Sequence, residues 1–546
     1  METARARGAS LVGTTAEIIT VEGRFDDRKR ERTEVSITGL PDPVIRESRG
    51  RLVSALEENR LRLRTGKLFL NLVPAARKKS GEALDLALAL AAASALGYLE
   101  PKVLAETLFL GELGIDGKLY PVPGGTAAAL SARANGISRL IAPTATAREA
   151  ACVPELDVRA ADQLESVLRH LAGPEPTLER MAPPPLDPQD ALLHGSSLDE
   201  ICGQRAPKLA LATAAAGRHA LLLVGPPGSG KSMLARGLTR LMDAPTLEER
   251  IAITSVLSAV GRWPGGLANE RPFRAPHHSA SDAGLVGGGP QAAPGEITLA
   301  HRGVLFLDEL PEFRRSALEA LRQPLETGEV HLSRAARRSV APAQFQLVAA
   351  MNPCPCGYLG HPRRACRCSS QAVERYRRRI SGPLLDRIDL RMEVNPPSIA
   401  ALASRSNSIA QPRSPGSPGS AAAGSPELSL HPGSSSSSDR APAADSTTTE
   451  AELIVAIARA RATRTARGQG PANAALGPRE LDHLVPLTGE RRKVLERAEA
   501  NRALSARALQ SLRRTARTLA DLDGSDEVRA GHLMRALALR APLSSA

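Results

Sequence analysis

The segment richest in chemistry is Gly225-Pro226-Pro227-Gly228-Ser229-Gly230-Lys231-Ser232, which follows the apolar run Ala220 to Val224. Its spacing fits G-x(4)-G-K-[ST] in the strand, loop and helix setting that this motif requires. Glycines at 228 and 230 let backbone N–H groups turn toward phosphate oxygens, and the helix that follows offers the positive end of its dipole. Lys231 then reaches the β and γ oxygens of a nucleoside triphosphate, while the Ser232 hydroxyl ligates Mg²⁺. A second apolar run, Gly303 to Leu307, ends in Asp308 and Glu309. Asp308 is expected to hold the Mg²⁺, and Glu309 to polarise the water that attacks the γ-phosphate. Alone, two acids after a buried strand read more often as a helix N-cap. The phosphate loop upstream turns them into a hydrolytic pair.

Cys354, Cys356, Cys366 and Cys368 form C-x-C-x(9)-C-x-C, and only two other cysteines occur in the chain, so a disulfide scaffold is not expected. Gly357, Gly360 and Pro362 supply turns that bring the pairs together. Two readings stand: a tetrahedral structural Zn²⁺ site, or free thiols in a knuckle beside Asn352. The neighbouring Arg363, Arg364, Arg367, Arg375, Arg377, Arg378 and Arg379 are the densest basic patch in the chain. They suit either nucleic acid or a contact between subunits.

The elements that must position these groups read as an α/β protein. A chain of 546 residues asks for several cores. Residues 1–172 alternate β-branched runs (Glu17 to Val21, Glu34 to Ile37, Leu68 to Leu72) with Ala/Leu stretches, as in a compact α/β domain. Residues 173–197 carry too many prolines for a helix and read as a linker. From 198 to 397, apolar runs at Ala220 to Val224, Val304 to Leu307 and Phe345 to Ala350 alternate with helical segments, the pattern of a parallel sheet covered by helices. Residues 398–449 are dominated by Ser, Pro, Gly and Ala and are expected to be a disordered linker. Residues 450–546 read as a small helical domain broken at Gly468 to Pro471, Gly477-Pro478 and Gly524. The longest apolar run, Ala83 to Leu96, is interrupted by Asp85, and the N-terminus lacks a signal-peptide core, so a soluble cytoplasmic protein with no membrane partner is expected. A net charge of +13 favours polyanions, or else reflects an Arg-rich proteome.

The series GPPGSGKS, RPFRAPHH (Arg271 to His278), PGEITLAHRGVLFLDELPEF (Pro294 to Phe313), LVAAMNPCPCG (Leu347 to Gly357) and ISGPLLDRIDL (Ile380 to Leu390) resembles the magnesium-chelatase-like AAA+ ATPases of the ComM/YifB family. GLPDPVIRESRGR (Gly39 to Arg51), LGELGIDGKLYPVPGG (Leu110 to Gly125) and LSARALQSLRRTARTLADLDG (Leu504 to Gly524) extend the likeness over most of the chain. The resemblance implies a P-loop AAA+ αβα core binding ATP, with a helical lid. It makes Asn352 the sensor-1 residue, although a turn Asn before Pro353 is the plainer reading. Arg387 matches an arginine finger acting on a neighbouring subunit of a homo-oligomer, a hexamer in this family, and Arg507 the sensor-2 position. Asp199 to Gln204 matches a box closing over the adenine, and Glu329 to Ala343 a basic hairpin whose Arg334, Arg337 and Arg338 face DNA or solvent. His277 and His278 receive no role.

By the same resemblance, residues 1–172 look like the Lon-protease domain (S5 domain 2-like), with Ala83 where the serine nucleophile would stand and Ala129 where the lysine base would stand, so no peptidase is expected. Arg24 to Arg32 departs from the family pattern by its charge. The function implied is a DNA motor acting on single-stranded or branched DNA, a branch-migration helicase in natural transformation. The alternatives are a metal-inserting chelatase motor, disfavoured by the Lon-like domain, and a protein-remodelling chaperone, disfavoured by an aromatic content of 2%.

Overall fold

The computed structural model describes residues 3–27, 33–75, 79, 81–184, 197–288, 293–334, 337–396, 449–502 and 504–542. The stretch Arg28 to Arg32, Ser80, the second half of the Pro-rich linker and all but the last residue of the Ser/Pro/Gly-rich linker lie outside the described residues.

Strands β1 (Ala4–Val12), β2 (Thr15–Asp26), β3 (Glu34–Thr38), β4 (Lys67–Val73), β5 (Thr107–Phe109), β6 (Arg139–Ala142) and β7 (Asp157–Ala160) form one sheet in the order β3-β4-β2-β1-β5-β6-β7. β1 and β2 make a long antiparallel hairpin whose last pair, Val12 with Thr15, closes over Gly13 and Thr14. Gly13 has φ +64°, as a tight hairpin turn demands. Helices α1 (Pro43–Glu58), α2 (Asp85–Ala95) and α3 (Gly125–Ala134) cover the sheet. The apolar run noted in the sequence is α2, which is buried from Asp85 to Ser94 and so carries no amphipathic stripe. It lies close on β2: a Cβ at Gly23 would fall 2.6 Å from the Ala91 carbonyl oxygen. Its one charge is satisfied, because the Asp85 carboxylate accepts from Ser48 Oγ (2.5 Å), Arg51 Nη2 (2.8 Å) and the Leu113 N–H (3.2 Å).

The Pro-rich segment is irregular, yet its described half is docked. Met181 N–H donates to Val158 O at 2.8 Å and Ala160 N–H to Glu179 O at 3.2 Å, along the exposed edge of β7.

The second sheet consists of β8 (Leu221–Val224), β9 (Phe273–Arg274), β10 (Val304–Leu307), β13 (Gln346–Met351) and β14 (Leu390–Glu393), in the order β9-β10-β13-β8-β14 with every pair parallel. Helices α4 (Arg205–Gly217), α5 (Lys231–Leu241), α6 (Leu247–Ala259) and α7 (Ser370–Arg377) flank it. The central strands are buried on both faces, which is why they read as unbroken apolar runs rather than alternating ones. Residues after the C-terminal ends of β8, β10 and β13 share one edge of the sheet, where open parallel sheets bind ligands. Between β10 and β13, β11 (Glu329–Arg334) and β12 (Arg337–Pro342) pair as an antiparallel hairpin. The side chains of Arg334, Arg337 and Arg338 lie outside the described residues.

The C-terminal part is helical as expected. It contains α8 (Glu450–Ala466), two shorter helices at Pro478–Leu484 and Gly489–Arg502, α9 (Ala506–Leu522) and α10 (Ala530–Ala538). Leu453, Ile457, Leu512 and Leu519 join Leu211, Leu221 and Leu234 in one apolar cluster, so these helices share a core with the parallel sheet. The N-terminal domain also docks on that unit. Ala128, Ala129 and Val153 cluster with Ile251 and Leu267, Ser258 Oγ donates to Glu149 Oε2 at 2.6 Å, and the Gly124 N–H donates to Ser258 O at 3.2 Å. Among the described residues no helix is long and apolar enough to cross a membrane.

Candidate active site

The phosphate loop leaves β8 and enters α5 with Gly228 at φ +75° and Gly230 at φ +89°, conformations that only glycine adopts without strain. Gly225 cannot be enlarged, because a Cβ there would lie 2.2 Å from Val394 O. Lys231 Nζ donates to Gly225 O (2.7 Å), Pro226 O (2.9 Å) and Asn352 Oδ1 (3.3 Å). Burial lowers the Lys231 pKa, against the charges of Asp308 and Glu309, which favour its ionised form. Ser232 Oγ donates to Asp308 Oδ2 at 2.8 Å, so hydroxyl and carboxylate already sit within the reach of one cation. The Ser229 hydroxyl is buried with no hydrogen-bond partner among the described residues, a donor suited to a phosphate oxygen.

Asp308 and Glu309 leave β10 at the same edge. The Glu309 N–H donates to Asp308 Oδ1 at 2.9 Å, and Glu309 adopts φ +53°, a left-handed conformation that costs a non-glycine residue energy and turns its side chain out of the strand path. Its carboxylate Oε2 lies 3.0 Å from His278 Nδ1, whose ring centroid is 4.1 Å from that of His277 with the planes tilted by 34°. Asn352 leaves β13, the strand between β8 and β10, and its backbone N–H is bonded to the buried Tyr376 phenol, whose pKa burial pushes up to about 12. Three strands thus bring Lys231, Ser232, Asp308, Glu309 and Asn352 together. A triphosphate with Mg²⁺ fits the donors present.

Arg387 and Arg507 are not part of that constellation. Both meet Glu326: Arg387 Nη2 lies 2.5 Å from Oε1, and Arg507 Nη2 bonds the same oxygen. The Arg507 hydrogen bond, followed by the Arg387 charge, holds the Glu326 carboxyl below the usual range. The three residues line a cleft of about 790 Å³ together with Ala220, Gly303 and Gln346. Those last three precede or open β8, β10 and β13, so the cleft lies at the sheet edge opposite the phosphate loop. Arg507 stands in the first turn of α9, whose Ser505 hydroxyl caps the helix by accepting the Ala508 N–H.

Asp199, which opens the Asp199 to Gln204 box, accepts the Glu450 N–H at Oδ1 (2.8 Å), and Glu450 in turn accepts from the preceding Leu198 N–H (2.7 Å) and Ser197 Oγ (2.9 Å) and pairs with Arg240 Nε of α5 (2.7 Å). The four cysteine Sγ atoms all lie within 4.8 Å of one another, in the loop that follows Asn352. Of the neighbouring arginines, Arg378 pairs with Glu374 (2.5 Å) and Arg379 with Glu312 (2.7 Å), while Arg364 stacks on Tyr358 at 4.0 Å. In the N-terminal domain Ala83 and Ala129 belong to one apolar cluster, so neither position offers a nucleophile or a base.

Family models match three segments: residues 197–402 to magnesium chelatase, subunit ChlI; 26–146 to subunit ChlI of Mg-chelatase; and 447–540 to the subunit ChlI C-terminal region. YifB of Escherichia coli (strain K12) is 36% identical over 542 residues, 97% of this chain and 96% of that protein. The chain belongs to the magnesium-chelatase-like ComM/YifB family. It is thereby an AAA+ ATPase by descent. Competence protein ComM of Haemophilus influenzae is likewise 36% identical over 540 residues, 97% of this chain and 96% of that protein. A putative lon protease homolog of Thermoplasma acidophilum is 51% identical over 55 residues, 10% of this chain and 11% of that protein. The match of residues 26–146 to a chelatase-subunit model removes one sequence argument, because the N-terminal domain of this ComM/YifB member does not by itself disfavour a chelatase motor.

Within the site, sequence reasoning missed His278 and Glu326. His278 was in view within RPFRAPHH, but nothing in the spacing indicated that it meets Glu309, thirty-one residues later.

Proposed function

We propose that the protein is an ATP-driven homohexameric motor of the cytoplasm that moves along single-stranded or branched DNA and migrates branches during natural transformation. The observation carrying the ATPase core of this reading is the pair of contacts that join Lys231 to Asn352 and Ser232 to Asp308, with Glu309 bonded to Asp308 alongside. Lys231 would exchange its loop carbonyls for phosphate oxygens, Ser232 and Asp308 would hold Mg²⁺, and Glu309 would take the proton of the water that attacks the γ-phosphate. Mg²⁺, when bound, neutralises charge on the β and γ oxygens. Arg387 and Arg507, facing away from their own phosphate loop, suit a site shared with a second protomer. Support for DNA comes from the likeness to Competence protein ComM, the net charge of +13, and the arginines around the cysteine loop. The N-terminal domain is read as Lon-like and without peptidase activity, and the four thiols as ligands of one structural Zn²⁺.

A chelatase-type motor is the second reading, favoured by the family models that match all three parts of the chain. Steady-state ATP hydrolysis measured with single-stranded DNA, forked DNA, a porphyrin and an unfolded protein separates the two. Stimulation by either DNA is expected. Stimulation by porphyrin alone would replace the DNA reading, and stimulation by unfolded protein alone would install a remodelling chaperone.

A further inference from the structure

The cysteine loop does not hang from the domain. It begins two residues after Asn352, and its first thiol, Cys354, is fully buried. Cys354 Sγ lies 3.4 Å from Cys356 Sγ and 3.6 Å from Cys366 Sγ, and Cys356 lies 3.6 Å from Cys366. A disulfide needs about 2.05 Å, whereas a zinc–thiolate tetrahedron with bonds of about 2.3 Å has edges of about 3.8 Å. Backbone N–H groups of Leu359 and Cys368 point at Cys354 and Cys366 sulfurs, each at 3.4 Å, which favours anionic sulfur. The geometry is that of a metal knuckle, a soft-ligand site for a divalent cation of zinc type.

The same knuckle presses on the nucleotide site. Gly357 has φ +82°, and a Cβ there would fall 2.7 Å from Pro227 Cδ and 3.8 Å from Asn352 Cγ. Leu359, Gly360 and His361 form one wall of a cavity of about 180 Å³ whose other wall includes Gly225 and Pro226. Arg377 of α7 lines the same cavity and donates from Nη2 to Pro353 O at 3.3 Å. The loop that carries the four thiols therefore packs against the phosphate loop, Asn352 and α7.

We infer that Zn²⁺ held by Cys354, Cys356, Cys366 and Cys368 is a positioning element of the ATP site, fixing the knuckle against Pro227 and so setting the phosphate loop and Asn352. This rests on the ATPase reading above and assigns that site a metal control. Binding converts thiols to thiolates, and the released protons pass to solvent.

The test uses the full chain. Elemental analysis of the purified protein is expected to give one zinc per chain, and Co²⁺ in its place to give thiolate-to-cobalt charge-transfer absorption. Zinc-free wild-type protein that still hydrolyses ATP overturns the inference and leaves the ATPase reading standing. Zinc-loaded protein that binds no nucleotide sinks both. A Cys366→Ser/Cys368→Ser variant is expected to lose zinc and, if its thermal melt remains cooperative, to show at least a tenfold higher KM for ATP. Wild-type KM and kcat in that folded, zinc-free variant overturn the coupling. Should the variant not fold, Gly357→Ala decides: it keeps all four thiols and its zinc, but displaces Pro227. Here a KM for ATP raised about tenfold at unchanged zinc content is the expected result, and an unchanged KM overturns the inference.

Discussion

The carboxylate proposed to activate water meets a neighbour that the motif itself does not include. Glu309 sits at φ +53° with His278 at 3.0 Å, so its carboxylate is steered by backbone geometry and by an imidazole. Glu309→Gln should leave ATP affinity within about threefold and reduce kcat by about 10²-fold or more, because an amide cannot accept the water proton. His278→Ala should lower kcat about tenfold with little change in KM, since it frees the base without touching the phosphate contacts. Single-turnover kinetics beside equilibrium nucleotide binding check both. The meeting of Lys231, Ser232, Asp308 and Glu309 at one sheet edge was legible in the sequence because the loop and the strand end each impose a local spacing. The imidazole was not, since its contact depends on how β9 and β10 lie side by side. The approach of the four thiols was legible for the same reason of local spacing, but the packing of their loop against Pro227 is a tertiary fact.

At the level of elements, the parallel sheet was readable because central strands buried on both faces leave apolar runs, and their observed limits differ from the expected ones by at most one residue at either end. What pins α6 beside that sheet was not readable. Glu249, capping α6 with Thr246, is 2.6 Å from Arg271 Nη2 and 3.2 Å from Arg218 Nη2. Burial acts to raise its pKa, but the Arg271 hydrogen bond and charge prevail and pull the carboxyl down to about 2. A carboxyl depressed in the folded state stabilises fully above its ordinary value of 4.5, and that contribution fades as the pH falls toward 2. Glu249→Gln should cost about 3 kcal/mol at neutral pH by leaving buried Arg271 with only the longer pairing to Asp243, at 3.3 Å, as a carboxylate partner. The gap between wild-type and variant melting temperatures should shrink steadily from pH 5 to pH 3 or below (~).

For the whole molecule, the sequence divided the chain into domains but gave no hint that the first of them rests on α6 through Glu149 and Ser258, because that contact joins residues 109 positions apart. Nor did it indicate that both arginines assigned to catalysis share one carboxylate. Arg387→Ala should reduce turnover about 10³-fold while ATP still binds, measured by steady-state hydrolysis against binding of a fluorescent analogue. Glu326→Gln should leave hydrolysis by dilute protein unchanged, because neither arginine reaches its own phosphate loop, and should alter turnover only at concentrations where chains associate. On the proposed reading, Glu326 occupies both guanidiniums of a solitary chain as an internal surrogate for phosphate. Specific activity should then climb steeply with protein concentration and flatten once neighbours supply the true anion, so that dilution alone works as an off-switch.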